Sequence, residues 1–214
     1  SGERTLLRAA GNRLAPARWE WVIDLEAVFE TERLWLEPIR SSHAAELFGV
    51  LSDARLYRFV PQDPPPTLAS LEERFQRLQT RRSPRGDELW LNWVMRSKHS
   101  GLCLGRVQAT VHPDATAAFA YDLGVELWGQ GYATEACRRV LEALFADHGL
   151  TRVLAEVDTR NVASMRLLER LGFVRGSLKR DADSFKGESS DEFTYVLARP
   201  PERWQPRRTP VGER

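Results

Sequence analysis

The stretch that most constrains the fold is Glu126–Ala136, ELWGQGYATEA. Gly129 and Gly131 stand one residue apart, directly before apolar positions spaced as a helix face: Ala133, Ala136, Cys137, Val140, Leu141, Leu144 and Phe145. That is a strong amphipathic helix, and Gly149 stops it. The preceding AAFAYDLGV is strand-like. A glycine turn between a strand and a helix has two explanations. One is architectural, a tight connection. The other is chemical: a helix start leaves N–H groups unpaired and partly positive. Glycines let that backbone curl close to a ligand without a Cβ in the way. Such a site suits phosphate, and Gly129, Gln130, Gly131, Tyr132 and Ala133 would present successive amides to a pyrophosphate. The dinucleotide fingerprint is not met, because the third glycine is missing and Ala133 stands two residues on. No GxxxxGK[ST] is present, so nucleotide triphosphatase chemistry is not supported.

The rest of the chain gives the turn its context. Thr31–Arg40 alternates as a strand. His43–Asp53 spaces Ala44, Leu47, Phe48 and Leu51 as a helix face. The proline-rich PQDPPP at 61–66 is a loop, and Leu68, Leu71, Phe75 and Leu78 follow as a helical stripe, with Ser70 and Glu73 fitting a capping box. ELWLNWVMR and LCLGRVQATV are strands joined by a turn around KHSG. TRVLAEVD is a short strand. Asn161–Leu171 is a helix with Asn161 as N-cap and Gly172 at its end. FVRGSL and EFTYVLA close the pattern as strands. The order is β, α, α, β, β, β, α, β, α, β, β, which predicts an α+β domain with a mixed, mostly antiparallel sheet and one βαβ unit.

With 214 residues the chain suits one domain with some excess. Residues 1–28 read as an extension of unknown role, 29–200 as the domain and 201–214 as a basic tail. A formal net charge of +1 gives no global field to recruit nucleic acid or an anionic membrane. Arginines cluster at both ends, at Arg4, Arg8, Arg13 and Arg18 and again at Arg203, Arg207, Arg208 and Arg214. They read as solvated tails, with a loose RNA-touching arm as the sharper alternative. Cys103 and Cys137 form no CxxC and have no neighbouring His, so neither a disulfide framework nor a metal site is supported. The N-terminus lacks an apolar signal core followed by a cleavage site. Reduced thiols and a cytoplasmic location are expected.

WGQGYATEA and NVASMRLLERLGF, at their spacing, resemble the GCN5-related N-acetyltransferases. Within them the chain is similar to the branch that acetylates ribosomal-protein N-termini, over about Thr31 to Arg199. The family pattern at the turn is Arg/Gln-x-x-Gly-x-Gly/Ala. Trp128 occupies the first place, while Gly131 and Ala133 match. The Trp replaces a side chain and not a backbone donor. The resemblance implies the family fold, a twisted sheet with splayed middle strands and about four helices. It implies that amides from Gly129 to Ala133 hold the pyrophosphate of acetyl-CoA, with no metal. It also implies that Leu123 and Val125, on a strand splayed from its neighbour, offer backbone groups to the pantetheine arm and polarise the thioester carbonyl.

Acetyl transfer to an amine needs a bound thioester, a neutral amine, a stabilised oxyanion and a proton for the leaving thiolate. Many relatives place a Tyr seven residues after the Asn of the second motif; here that residue is Leu168. The N-terminal-acetylating branch has Asn-x-x-Ser, matched by Asn161 and Ser164. Ser164 is the candidate proton donor, with a plain helix-capping role as the alternative. Asn161 combines a cap with a cofactor contact. An α-amine has a pKa near 8, so a weak base suffices. Asp183 in KRDADSFKG is the nearest match to the branch's acid, with Asp181 beside it in a polar loop. Asp122 and Glu126 are further options. None of His43, His99, His112 and His148 has partner spacing, and each reads as a surface or helix-end residue. Tyr57 and Phe59, beside the proline-rich loop, are placed by the resemblance along the acceptor groove. The expected partner is an amine acceptor: a peptide or protein N-terminus, or a small amine such as an antibiotic. A homodimer is compatible with this, membrane association is not expected, and an acyl-CoA-binding module without turnover is the rival from another class.

Overall fold

The computed structural model describes residues 24–147 and 149–199. Residues 1–23 of the expected extension, residues 200–214 with the basic tail, and His148 lie outside the described residues. Phe29–Glu30 (β1) pairs antiparallel with Leu34–Pro38 (β2), and β2 with Leu89–Ser97 (β3). Then come Cys103–Val111 (β4), Thr116–Leu123 (β5), Arg152–Asp158 (β6), Val174–Phe185 (β7) and Glu188–Ala198 (β8). The eight strands form one sheet in the order β1-β2-β3-β4-β5-β6-β8-β7. Every pair is antiparallel except β5–β6. A parallel pair cannot be closed by a hairpin, and the helix Tyr132–Ala146 (α3) makes the crossover.

The other helices are His43–Leu51 (α1), Leu68–Leu78 (α2) and Val162–Arg170 (α4). Adjacent strand residues point to opposite faces, and β3 shows where each helix pair lies. Trp93 and Met95 join the larger core, which holds Ala136, Val140 and Leu144 of α3 and Leu167 of α4. Val94, between them, joins the smaller core with Leu47 of α1 and Phe75 of α2. The sheet therefore separates two layers: α3 and α4 on one face, α1 and α2 on the other.

The predicted element order is present, with β1 as an added two-residue strand. Leu25 and Ala27 pack against the larger core just before it, so the end of the extension is docked. Two boundaries differ from expectation. Helix α2 is capped by Thr67, whose side chain accepts from the Ser70 amide at 3.1 Å while Ser70 answers as the third helical residue; Ser70–Glu73 is not the box. After the prolines Thr67 is still extended (φ −146°, ψ 158°), as a cap must be, so the helix starts earlier. The polar KRDADSFKG is not a loop. It is the end of β7 and its turn, zipped to β8 by the pairs Asp183↔Ser190 and Phe185↔Glu188.

Candidate active site

The glycine turn opens α3 as an unfilled cap. Gly131 is the N-cap in the left-handed region (φ 84°) and supplies no side-chain bond, and Gly129 is also left-handed (φ 76°). The amides of Gly129, Gly131, Tyr132, Ala133 and Thr134 donate to no acceptor among the described residues, whereas the Gln130 amide makes a long turn bond to Leu127 O at 3.4 Å. The last four of these donors and the helix dipole thus face the same end of α3. A Cβ on Gly131 would stand 3.3 Å from Arg33 Nη2. Arg33 braces the turn: it donates to Gln130 O at 3.0 Å, pairs with Glu135 at 2.7 Å and lies 4.1 Å over the Tyr132 ring. The one acid in the first turn, Glu135, is held below the usual carboxylate range by Thr31 and Arg33, although burial opposes this. Its charge is matched, and the cradle stays receptive to an anion. These residues fit the pyrophosphate of acetyl-CoA.

Strand β5 leaves β6 after three paired residues, Thr116 to Ala118, yet stays paired with β4 to Leu123. Gly105 explains the preference. A Cβ there would lie 2.1 Å from Asp122 O, so only glycine lets β4 hold the end of β5 this closely. Thr116 O and the Gly124 amide both bond toward β4. Main-chain direction alternates along a strand, so Tyr121 and Leu123 turn their N–H groups into the gap. The Leu123 carbonyl accepts from Trp128 Nε1 at 2.9 Å. Trp128 thus ties the turn to the end of β5. Val125 lies just past the strand in a one-turn 3₁₀ helix, Val125–Leu127, where its carbonyl takes the Trp128 amide and its own N–H has no acceptor among the described residues.

Asn161 Oδ1 accepts from the Ser164 amide at 3.1 Å, a side-chain cap on α4. The Ser164 hydroxyl is free of that cap and lies within electrostatic range of the Tyr121 side chain. Burial pushes the Tyr121 hydroxyl up to about 12, with Ser164 acting in the opposite sense. Leu168, seven residues after Asn161, is core at 2% exposure. Tyr121 supplies a phenol to the same helix end from β5. The residue was visible in AAFAYDLGV, but nothing in its spacing pairs it with Ser164.

The acids sort themselves by contact. Asp122 pairs with Arg106 at 2.7 Å, and Glu126 is an exposed partner of Arg55. Asp181 sits at a register shift of β7 with φ 47° and accepts from Ser189 Oγ at 2.5 Å. Asp183 lies in β7, half-buried, and caps only the Ser184 amide. Asp158, buried at the end of β6, is fixed by Arg160 and by Ser190 Oγ. Glu192 of β8 was not singled out by sequence. It stands opposite Asp158 and Lys179, and its pKa is raised by burial, with Glu156, Asp183 and Asp158 adding to the effect. The Lys186 ammonium at the β7–β8 turn reaches back to the carbonyls of Tyr57, Val60 and Gln62. The hairpin and the proline-rich loop therefore form one rim.

His43 stands at a helix end, as the first residue of α1, but it is buried and not on the surface. It is 7% exposed, its Nδ1 accepts from the Arg40 amide at 3.0 Å, and burial lowers its pKa. Among the described residues no group of three or more His, Cys, Asp or Glu is placed to hold a metal, and no helix is long and apolar enough to cross a membrane.

Comparison with known proteins places this geometry. Residues 33–174 match the family model of an acetyltransferase (GNAT) domain. The N-acetyltransferase YoaA of Bacillus subtilis, itself uncharacterized, is 26% identical over 82% of this chain and 98% of its own. The ribosomal-protein-S5-alanine acetyltransferase of Vibrio fischeri has the same fold, with a TM-score of 0.71 at 21% identity, over 84% of this chain and all of its own. So has RimL, a ribosomal L7/L12 α-N-protein acetyltransferase solved with coenzyme A, with a TM-score of 0.72 at 17% identity, over 80% and 98% of the two chains.

Proposed function

The chain belongs to the GNAT acetyltransferase family and is an acetyl-CoA-dependent N-acyltransferase, and on that premise we propose that it acetylates the α-amine of a peptide or protein N-terminus. The observation that carries the proposal is the alignment of three things around one gap: the unpaired amides at the start of α3, the free edge of β5, and the Tyr121–Ser164 pair at the start of α4.

Acetyl-CoA supplies the acyl group as a thioester. The amides of Gly129, Gly131, Tyr132 and Ala133 bind its pyrophosphate, with Asn161 at the neighbouring helix start. The N–H groups of Leu123 and Val125 orient the acyl arm and polarise the carbonyl. The acceptor nitrogen forms the new C–N bond as the C–S bond breaks. The nitrogen's proton passes to a carboxylate of the hairpin face, Glu192 or Asp183. Tyr121 and Ser164 deliver a proton to the departing sulfur. Tyr121 is suited to this because its hydroxyl stays protonated through the neutral range. Holding both substrates in one cleft supplies much of the acceleration.

An extended acceptor is supported by the open sheet face. A groove of about 560 Å³ runs over β4, β5 and β6, lined by Gln108, Thr110, Ala118, Ala120, Leu154 and Glu156. Its volume exceeds what one small amine needs. The test is release of free coenzyme A with a panel of peptides, polyamines and aminoglycosides. The proposal expects peptides with free N-termini to be acetylated and N-terminally blocked ones to be inert. Turnover confined to polyamines or aminoglycosides would replace it with the small-amine reading. Binding of acetyl-CoA without release on any acceptor would favour a module without turnover.

A further inference from the structure

Four elements bring Tyr57, Arg74, Arg106 and Asp122 together on the face of the sheet that carries α1 and α2. Arg106 lies on that face because it is paired with Val94 of the smaller core. It is 4% exposed. Its Nε donates to Asp122 Oδ2 at 2.7 Å, but its Nη1 is buried with no hydrogen-bond partner. Such an orphan is uncommon, since buried N–H groups are nearly always paired, and one on a cation is the costlier case. Arg74 reaches toward the same point from α2. Its guanidinium has no hydrogen-bond or ion-pair partner among the described residues. Arg74 is half-buried, with Arg106 as a repelling neighbour and Asp122 and Tyr57 within electrostatic range. The Tyr57 hydroxyl is already committed, donating to Leu51 O at 2.8 Å.

Arg106 alone pairs with Asp122, and Arg74 stands in range of both without a partner of its own among the described residues, so the cluster keeps one unmatched positive charge and a buried unsatisfied donor. It sits where the acceptor must lie. Asp122 adjoins Tyr121 and Leu123 at the free end of β5, and the open groove begins at the next pair along this face, Gln108 and Ala120. We propose that Arg106 and Arg74 form a carboxylate receptor, so that the acceptor is an amine that also carries a carboxylate group. Planar guanidiniums suit that ligand, because two N–H donors match two oxygens. The bound carboxylate would accept from Arg106 Nη1 and from Arg74, completing what Asp122 leaves unmatched. This rests on the N-acetyltransferase reading and narrows its acceptor.

The test uses the full chain with coenzyme A bound. N-acetylglycine and N-acetylglutamate, as product mimics, are titrated calorimetrically beside N-acetylglycinamide and N-acetylglutamine. Matched acceptor peptides with Asp or Asn, and with free or amidated C-termini, are assayed by coenzyme A release. At least one carboxylate member is expected to bind or react about tenfold better than its amide partner, the size of one charge-assisted hydrogen bond. Arg74→Gln, on a half-exposed helix face, should erase that preference by raising KM about tenfold for the carboxylate member alone, with the Kd for acetyl-CoA unchanged. Arg106→Lys checks the buried partner, its fold followed by thermal melting. Equal behaviour of carboxylates and amides, or an Arg74→Gln loss shared by both, overturns the receptor and would mean that a water satisfies Arg106. Failure to bind acetyl-CoA at all would sink the acetyltransferase reading instead.

Discussion

The two sides of the cleft are built by different means. The donor side is main chain: a glycine turn, a helix start and the free edge of β5 offer N–H groups whose positions follow from local backbone geometry. The acceptor side is side chain: Arg106, Arg74, Asp122 and Glu192 come from one helix and three strands, and matter only because the fold gathers them. Backbone donors need little from sequence beyond small residues at the right spacing. Charged side chains on a sheet face are set by register, and one residue of slip would turn Arg106 into the opposite core. A family can therefore keep one donor site while its acceptor face varies.

The contrast is sharpest at Gly131. Gly131→Asp places a carboxylate against the pyrophosphate cradle, and the Kd for acetyl-CoA should rise by about a hundredfold or more, as for an unpaired like charge facing a bound anion. Gly131→Ala has the same unfavourable φ without the charge, at a cost of about 1–2 kcal/mol of stability. It should weaken binding far less. Equal effects of Asp and Ala on calorimetric Kd would mean that backbone strain, and not anion binding, governs the turn.

At the junction of the two sides, Tyr121→Phe and Ser164→Ala each remove one member of the proposed proton-delivering pair. Either should lower kcat by roughly ten- to a hundredfold, within the usual range for a proton-transfer group. The affinity for acetyl-CoA should hold. Because the two groups act together, the double variant should be little worse than the poorer single one. Additive losses would separate them and return Ser164 to a helix-capping residue.

The hairpin face gives a smaller, pH-dependent signature. A base must be deprotonated to work, and the folded environment raises the pKa of Glu192 above the ordinary carboxylate value. Activity should therefore fall as pH drops through that raised value, with the acidic limb of kcat/KM displaced upward from an ordinary carboxylate limb. Glu192→Gln should flatten the limb and cost about tenfold at neutral pH, the lower end for a general base. If the limb persists in Glu192→Gln and vanishes in Asp183→Asn, Asp183 is the base.

Much of the fold was legible because its elements carry strong local signals. The stripe from Ala133 to Phe145 specifies α3 whatever surrounds it, and Asn161 before an amphipathic run specifies a cap. KRDADSFKG failed as a local signal because it is polar on both faces, so no alternation marks it. Pairing with β8 decides that it is a strand. The capping box was displaced by three residues because Ser70 and Glu73 fit the pattern as well as Thr67 and Ser70 do. The extended backbone after the prolines selects between them.

By itself the sequence determined the order of the elements and the glycine turn that opens α3. These depend on backbone conformation and on spacing within a short stretch. Only the tertiary structure decided that β5 parts from β6, through the close approach that Gly105 permits. It also placed Tyr121 against Ser164 and left Arg106 buried with a donor unsatisfied. Those facts depend on which distant residues share a face, and the free energy that fixes them comes from packing two layers on one sheet.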